Sequence, residues 1–175
     1  MNIMKIINSI RYKLASFEKR TNLIKKMGVD IGEGCEIYSK VSFGSEPYLI
    51  KIGNNVRITD GCKFITHDGG IWVLRNLKLL ENGDLFGKIT IGNNVHIGMN
   101  SIIMPNVKIG NNCVIGCGSI VTKDIPDNSV AVGVPAKVIE TIDEYYNKNK
   151  QRCDFTKNLS PEKKKEYIIK KYKLD

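Results

Sequence analysis

The chain has 175 residues, of which 42% are hydrophobic and 26% charged, and it carries a formal charge of +9. That is one domain's worth of chain with enough apolar side chains for a core, which excludes intrinsic disorder and two large domains. The positive charges crowd Lys5 to Lys26 and Lys148 to Lys173 while the middle is nearly balanced, so they read as solvated helix faces at the two ends rather than as a nucleic-acid surface.

Residues 2 to 27 place Ile3, Ile6, Ile7, Ile10, Leu14 and Phe17 at helical spacing, with Arg and Lys between them. This predicts an amphipathic helix, and residues 1–28 form an N-terminal helical cap over the first repeats of the chain. From Val29 the period changes. Aliphatic or Phe side chains fall six residues apart in three runs: Ile31, Ile37 and Phe43; Ile52, Ile58 and Phe64; and Ile91, Ile97, Ile103, Ile109, Ile115 and Val121. The fifth place of each unit is small or β-branched, as at Cys35, Val56, Cys62, Val95, Ser101, Val107, Cys113 and Ser119. Polar residues and Gly lie between, and Ile-Gly-Asn-Asn recurs at Ile52, Ile91 and Ile109. Gly and Asn accept positive φ, so each unit carries its own turn.

A helix cannot hold a period of six with a turn in every unit, and a hairpin meander needs longer alternating strands. Three short strands per coil, 18 residues from Ile91 to Ile109, predict a triangular parallel β-helix over residues 29–140 with the aliphatics inside. Each coil buries its core only against its neighbours, which is why both ends need caps. The repeat is broken twice. From Phe43 to Ile52 is nine residues, so three extra ones bulge around Glu46-Pro47-Tyr48. From Ile52 to Ile91 is 39, which leaves a 21-residue excursion, loop 68–88, with Trp72, Arg75 and the turn Gly83-Asp84. Long excursions from a rigid scaffold are where function usually sits. Beyond Glu140, residues 141–175 form a helical tail, with helices over Thr141 to Lys150 and Ser160 to Leu174; Ser160 is the N-cap and Pro161 the first helical residue.

His67 closes the run Phe64-Ile65-Thr66-His67-Asp68 at the root of the excursion, exposed at a corner. An imidazole titrates near neutrality, which suits proton abstraction. His96 is the competing histidine and points outward from its coil. Two histidines are too few for a three-His metal site in one chain, so no metal is expected. Five cysteines without a CxxC pair read as reduced thiols in a cytoplasmic protein. No stretch approaches the length of a transmembrane segment.

The repeat, the Thr66-His67-Asp68 run, and the stretch Ile109 to Pro126 followed by Ala131 to Ile139 resemble the hexapeptide-repeat acetyltransferases, in particular the galactoside, maltose and capsular-polysaccharide O-acetyltransferases. The resemblance implies an all-β core, a left-handed parallel β-helix flanked by helices, and acetyl-CoA as co-substrate. It makes His67 the catalytic base, although those enzymes commonly read Thr-Gly-His where this chain has Thr66-His67. It assigns the donor to Gly98, Met99, Cys117, Thr122, Lys123 and Lys137. Met99 stands where relatives often have Ser or Ala beside the thioester, and Cys117 stands for their Ala. Thr122-Lys123 match identically, and Lys137 stands for a phosphate-contacting Arg, without its bidentate fork. The usual second Arg is Glu140 here. Acceptor contacts fall to Tyr38 (at the place of a family Asn), Trp72, Arg75 and His96.

The resemblance further implies a bacterial homotrimer with active sites between subunits. The expected acceptor is a sugar or nucleotide sugar, acetylated on a hydroxyl as a precursor of capsule or lipopolysaccharide. Two alternatives stay open: N-acetylation of a nucleotide-linked amino sugar, and a non-catalytic β-helix scaffold. The scaffold reading is disfavoured by the presence of His67 and Thr122-Lys123.

Overall fold

The computed structural model describes Tyr12 and residues 14–174, which fall into two units meeting between Asp143 and Glu144. Ile3, Ile6, Ile7 and Ile10 lie outside the described residues. The first unit is a prism with three parallel faces. One carries β1 (Asp30–Ile31), β3 (Ile50–Ile52), β6 (Ile89–Ile91) and β9 (Lys108–Ile109). The second carries β2 (Glu36–Ile37), β4 (Arg57–Ile58), β7 (His96–Ile97) and β10 (Val114–Ile115). The third carries β5 (Lys63–Phe64), β8 (Ile102–Ile103) and β11 (Ile120–Val121). The second face ends in an antiparallel hairpin of β12 (Ser129–Gly133) and β13 (Ala136–Thr141).

The register follows from the six-residue template. Ile31 pairs with Ile52, Ile52 with Ile91 and Ile91 with Ile109, while Ile58, Ile97 and Ile115 form the matching column on the second face. On the third face the column is Phe64, Ile103 and Val121, and the Phe43 ring stacks on Phe64 with centroids 5.3 Å apart. These side chains are almost wholly buried. Sealing each Ile from water stabilises the prism by roughly 1.5–3 kcal/mol. The small fifth places fill the corners of the interior. Ser101 and Ser119 donate their hydroxyls to the carbonyls of Gly98 and Gly116, at 2.7 Å each, so their burial leaves no unmet polar group.

The capping helix runs Phe17–Lys26, with the Ser16 hydroxyl accepting from the Lys19 N–H. Leu14 is exposed; burial falls instead on Arg20, Thr21 and Ile24. Arg20 donates to the carbonyl of Ile37 at 2.7 Å and to that of Ala15 at 2.7 Å. A guanidinium therefore satisfies a carbonyl of the first coil that has no coil beyond it. The excursion contains the helix Ile71–Asn76. The second unit holds most of the helix Ile142–Asn149 and all of Pro161–Tyr172, the latter capped by the Ser160 hydroxyl accepting from the Lys163 N–H. Among the described residues no helix is long and apolar enough to cross a membrane.

Candidate active site

The prism has three corners, and the sequence decides what each presents. The first corner, between the β3 and β4 faces, is made of the Gly-Asn-Asn turns. The second carries Tyr38, Gly98, Met99 and Cys117. The third carries Glu46, His67, Met104-Pro105-Asn106 and Thr122-Lys123.

His67 is held at the third corner by its own backbone. It bridges antiparallel to Phe86, the Asp68 N–H donates to the Leu85 carbonyl at 2.8 Å, and the Gly87 N–H donates to the Thr66 carbonyl at 2.9 Å. These bonds close the excursion at its root. One coil earlier in the stack, the three-residue bulge places Glu46 at the N-cap of a single 3-10 turn, Pro47–Leu49. The parallel bridge of Ser42 to Lys63 sets an offset of 21 residues, and Glu46 lies 21 before His67. The Glu46 carboxylate is 14% exposed, and one oxygen receives two donors, the Thr66 hydroxyl at 2.6 Å and the His67 Nδ1 at 2.9 Å.

These contacts hold the Glu46 carboxyl below the usual carboxylate range, the Thr66 hydroxyl contributing most and His67 next. Glu46 is therefore ionised at neutral pH. An ionised partner on Nδ1 keeps the proton on that nitrogen and leaves the Nε2 lone pair free. His67 opens into a cleft of about 400 Å³ with Asp68, Leu85, Met104, Pro105, Asn106 and Thr122 on its walls. An imidazole with a fixed tautomer on the wall of such a cleft can take a proton from a bound hydroxyl.

The remaining expected residues are distributed over the fold. Thr122 shares the His67 cleft, and Lys123 follows it, exposed. Gly98, Met99 and Cys117 lie at the second corner of the same chain. Gly98 is buried, and a Cβ there would meet the Cys117 backbone nitrogen at 2.6 Å, so close coil stacking demands glycine. Its N–H is committed to the Ile115 carbonyl at 2.8 Å. Tyr38 packs its ring against Phe17 of the capping helix, with centroids 5.2 Å apart. Lys137 is exposed on β13, paired in register with Val132.

His96 stands on the outer surface of the second face, between Arg57 and Val114. Burial first, and the neighbouring Arg57 cation second, lower its pKa, which keeps it neutral. It lines a shallow groove with Glu36, Arg57 and Asn94, away from the His67 cleft. Trp72 is exposed on the excursion helix. Arg75 ties that loop together, donating to the Gly83 carbonyl at 2.6 Å and to Asp84 at 2.7 Å.

Glu46 is the functional side chain that the six-residue pattern did not reveal. The nine-residue spacing marked a bulge one coil from the His67 corner, but nothing in the spacing showed that a side chain there reaches the histidine.

Comparison with known proteins fits this architecture. Residues 88–123 match the family model described as bacterial transferase hexapeptide (six repeats). The chain is 53% identical over 152 residues to Protein CapG of Staphylococcus aureus, covering 86% of this chain and 87% of that protein. It is 39% identical over 156 residues to the galactoside O-acetyltransferase of Escherichia coli (strain K12), covering 75% of each. Among solved structures, a galactoside acetyltransferase in complex with coenzyme A superposes with a TM-score of 0.50 at 32% identity, covering 86% of this chain and 82% of that one. The prism is a left-handed parallel β-helix. A stack of hexapeptide coils with an oriented histidine at one corner defines a class of acyl-transferring enzymes. This chain belongs to the hexapeptide-repeat acetyltransferases.

Proposed function

We propose that the protein transfers an acetyl group from acetyl-CoA to a sugar hydroxyl of a surface-polysaccharide precursor, with His67 as general base. The observation that carries this reading is the contact of His67 Nδ1 with Glu46 at a cleft that both His67 and Thr122 line. The likeness to the galactoside O-acetyltransferase supports a sugar acceptor, and the likeness to a galactoside acetyltransferase solved in complex with coenzyme A supports the donor.

In this reaction Nε2 takes the acceptor hydroxyl proton as the hydroxyl oxygen attacks the thioester carbonyl. The tetrahedral intermediate then collapses, the C–S bond breaks, and His67 returns the proton to the leaving thiolate. Glu46 stabilises the imidazolium that exists between the two transfers. The developing oxyanion needs an N–H donor. With the Gly98 N–H used in coil stacking, the Met99 N–H at the second corner takes that role.

The second corner belongs to the same site only if another copy supplies it. We place the protein in a cyclic trimer in which the third corner of one subunit faces the second corner of the next. The outer surfaces of the faces support this arrangement. The first face shows Asp30, Lys51, Thr90 and Lys108 and the second Glu36, Arg57, His96 and Val114, whereas the third shows Lys63 followed by half-buried Ile102 and Ile120. The face with the longest apolar run, Ile102 to Ile120, is the one that turns to the three-fold axis. Gly98, Met99 and Cys117 then line the thioester end of the donor, while Thr122, Lys123 and Lys137 meet its pantetheine and phosphates. Tyr38, His96, Trp72 and Arg75 border the acceptor. The enzyme works in the bacterial cytoplasm, where acetyl-CoA and nucleotide sugars are available.

The test is release of coenzyme A thiol from acetyl-CoA against a panel of sugars and nucleotide sugars, for wild type and His67→Ala side by side. An acceptor that stimulates release in wild type and fails in the variant supports the reading. Equal release in both removes His67 from the mechanism, and no release with any acceptor sinks the reading as a whole.

A further inference from the structure

The unit beginning at Glu144 has the composition of a surface-seeking element. It carries ten Lys or Arg against five Asp or Glu. Its two helices, Ile142–Asn149 and Pro161–Tyr172, contain no buried residue, and Thr156 is the only residue between Glu144 and Leu174 classed as buried. Yet the unit is not polar throughout. Phe155 is 92% exposed and Tyr172 61%, with Ile168, Ile169 and Leu174 also open to solvent.

The helix Pro161–Tyr172 sorts these residues by face. Tyr167 and Lys171, one turn apart, both bond Asp154, at 2.7 and 2.6 Å, and so fasten the helix to the segment before it. A different stripe holds Lys164, Lys165, Ile168 and Tyr172, at helical spacings of three and four. Lys163 and Lys170 fall on the opposite side of the helix, and Lys173 is its C-cap, so Lys164 and Lys165 are the lysines of the ridge itself. Short apolar side chains flanked by lysines whose stems can lie flat are the arrangement that seats a helix at the boundary between headgroups and acyl chains.

We propose that the C-terminal unit binds the surface of an anionic lipid bilayer through the Ile168-Tyr172 ridge and its lysines. Charge selects this occupant over a second copy of the same unit: two such surfaces would bring like charge together, whereas anionic headgroups neutralise it. The inference does not rest on the acetyl-transfer reading. It adds a location to that activity, because an enzyme held at the membrane surface meets acceptors assembled there.

The experiment is co-sedimentation of the full-length protein with vesicles of phosphatidylcholine alone and of phosphatidylcholine with an equal part of phosphatidylglycerol. The expected result is binding to the anionic vesicles only, lost at about 0.5 M salt as screening shortens. Lys164→Glu/Lys165→Glu and Ile168→Ser/Tyr172→Ser should each weaken it about tenfold or more. Neither variant replaces Tyr167, Lys171 or Asp154, although Tyr172→Ser removes the ring that the Lys171 Nζ lies over, and both should keep thiol-release activity on a soluble acceptor within about twofold of wild type. Absence of binding to anionic vesicles overturns the proposal. So does binding that both variants retain. A change of oligomeric size in the Ile168→Ser/Tyr172→Ser protein without lipid, with vesicle binding intact, would assign the ridge to contacts between copies instead.

Discussion

The first and third corners of the prism are built from the same repeat and do opposite things. At the first, asparagines form a continuous rail. The Glu33 N–H donates to the Asn54 side chain, Asn54 to Asn93, Asn93 to Asn111 and Asn111 to Asp127, all at 2.7–2.8 Å. A second rail joins Asn94 to Asn112 and Asn112 to Asn128 at 2.9 Å. The residues of the second rail sit in the left-handed backbone region that Asn tolerates. The groups that form these rails are spent on the next coil. At the third corner the repeat is interrupted twice, and the polar groups that the interruptions release meet one another at Glu46, Thr66 and His67. Regularity consumes hydrogen-bonding capacity; interruption frees it for chemistry.

The comparison can be broken at either corner, and the sizes of the effects differ. His67→Ala should lower the acceptor-stimulated rate by about 10²–10⁴ while leaving the melting temperature near wild type, since the ring is partly exposed and its backbone bridge survives. A collapse of the melt would mean that the corner is structural. Ile97→Ala, inside the prism, should do the reverse: unfolding titrations should lose about 2–5 kcal/mol, with residual activity following the folded fraction.

Glu46→Gln keeps the shape but removes the charge that fixes the His67 tautomer. A carboxylate that stabilises the imidazolium acts on the chemical step and not on donor binding, so kcat should fall about tenfold to a hundredfold with KM for acetyl-CoA nearly unchanged. The same variant carries a pH signature. The folded protein holds the Glu46 carboxyl below its ordinary value, so its stabilising effect is present above about pH 4.3 and disappears as the pH falls through the lowered value. Urea midpoints of wild type and Glu46→Gln should therefore converge on acidification, and a gap that widens would contradict the stabilising role of the carboxylate.

Asn111→Ala, on the rail, should cost about 0.5–1.5 kcal/mol, because water replaces the lost acceptor of the exposed Asn93 donors, and leave kcat untouched. The smallest effect belongs to the excursion. Arg75→Ala removes an exposed ion pair and should shift stability by less than about 1 kcal/mol, and it should show first as faster proteolytic nicking within residues 68–88.

Most of the prism was legible in the chain because the period of six is enforced by burial at every coil: Ile97 or Ile115 cannot move one place without exposing an aliphatic. His67 was legible because it closes a strand where the repeat stops. Glu46 was not, because the phase of the repeat says which corner a bulge leaves from and nothing about where its side chains return. Tyr38 and Arg75 illustrate the same limit from the other side. The sequence put both at positions that invite a ligand and gave no sign that each also has a partner within the chain, Phe17 for one and Gly83-Asp84 for the other. The β12–β13 hairpin also escaped the pattern, since two antiparallel strands at the end of a stack obey no six-residue rule.

The bridge between His67 and Phe86 has one more consequence. The excursion leaves the prism and comes back on the same rung, so the coils above and below register as though it were absent. A segment attached in that way is a socket. Its contents can be lengthened, trimmed or exchanged for another loop without moving the histidine or the donor surface. If the excursion borders the acceptor as proposed, the choice of acceptor is separable from the machinery that moves the acetyl group.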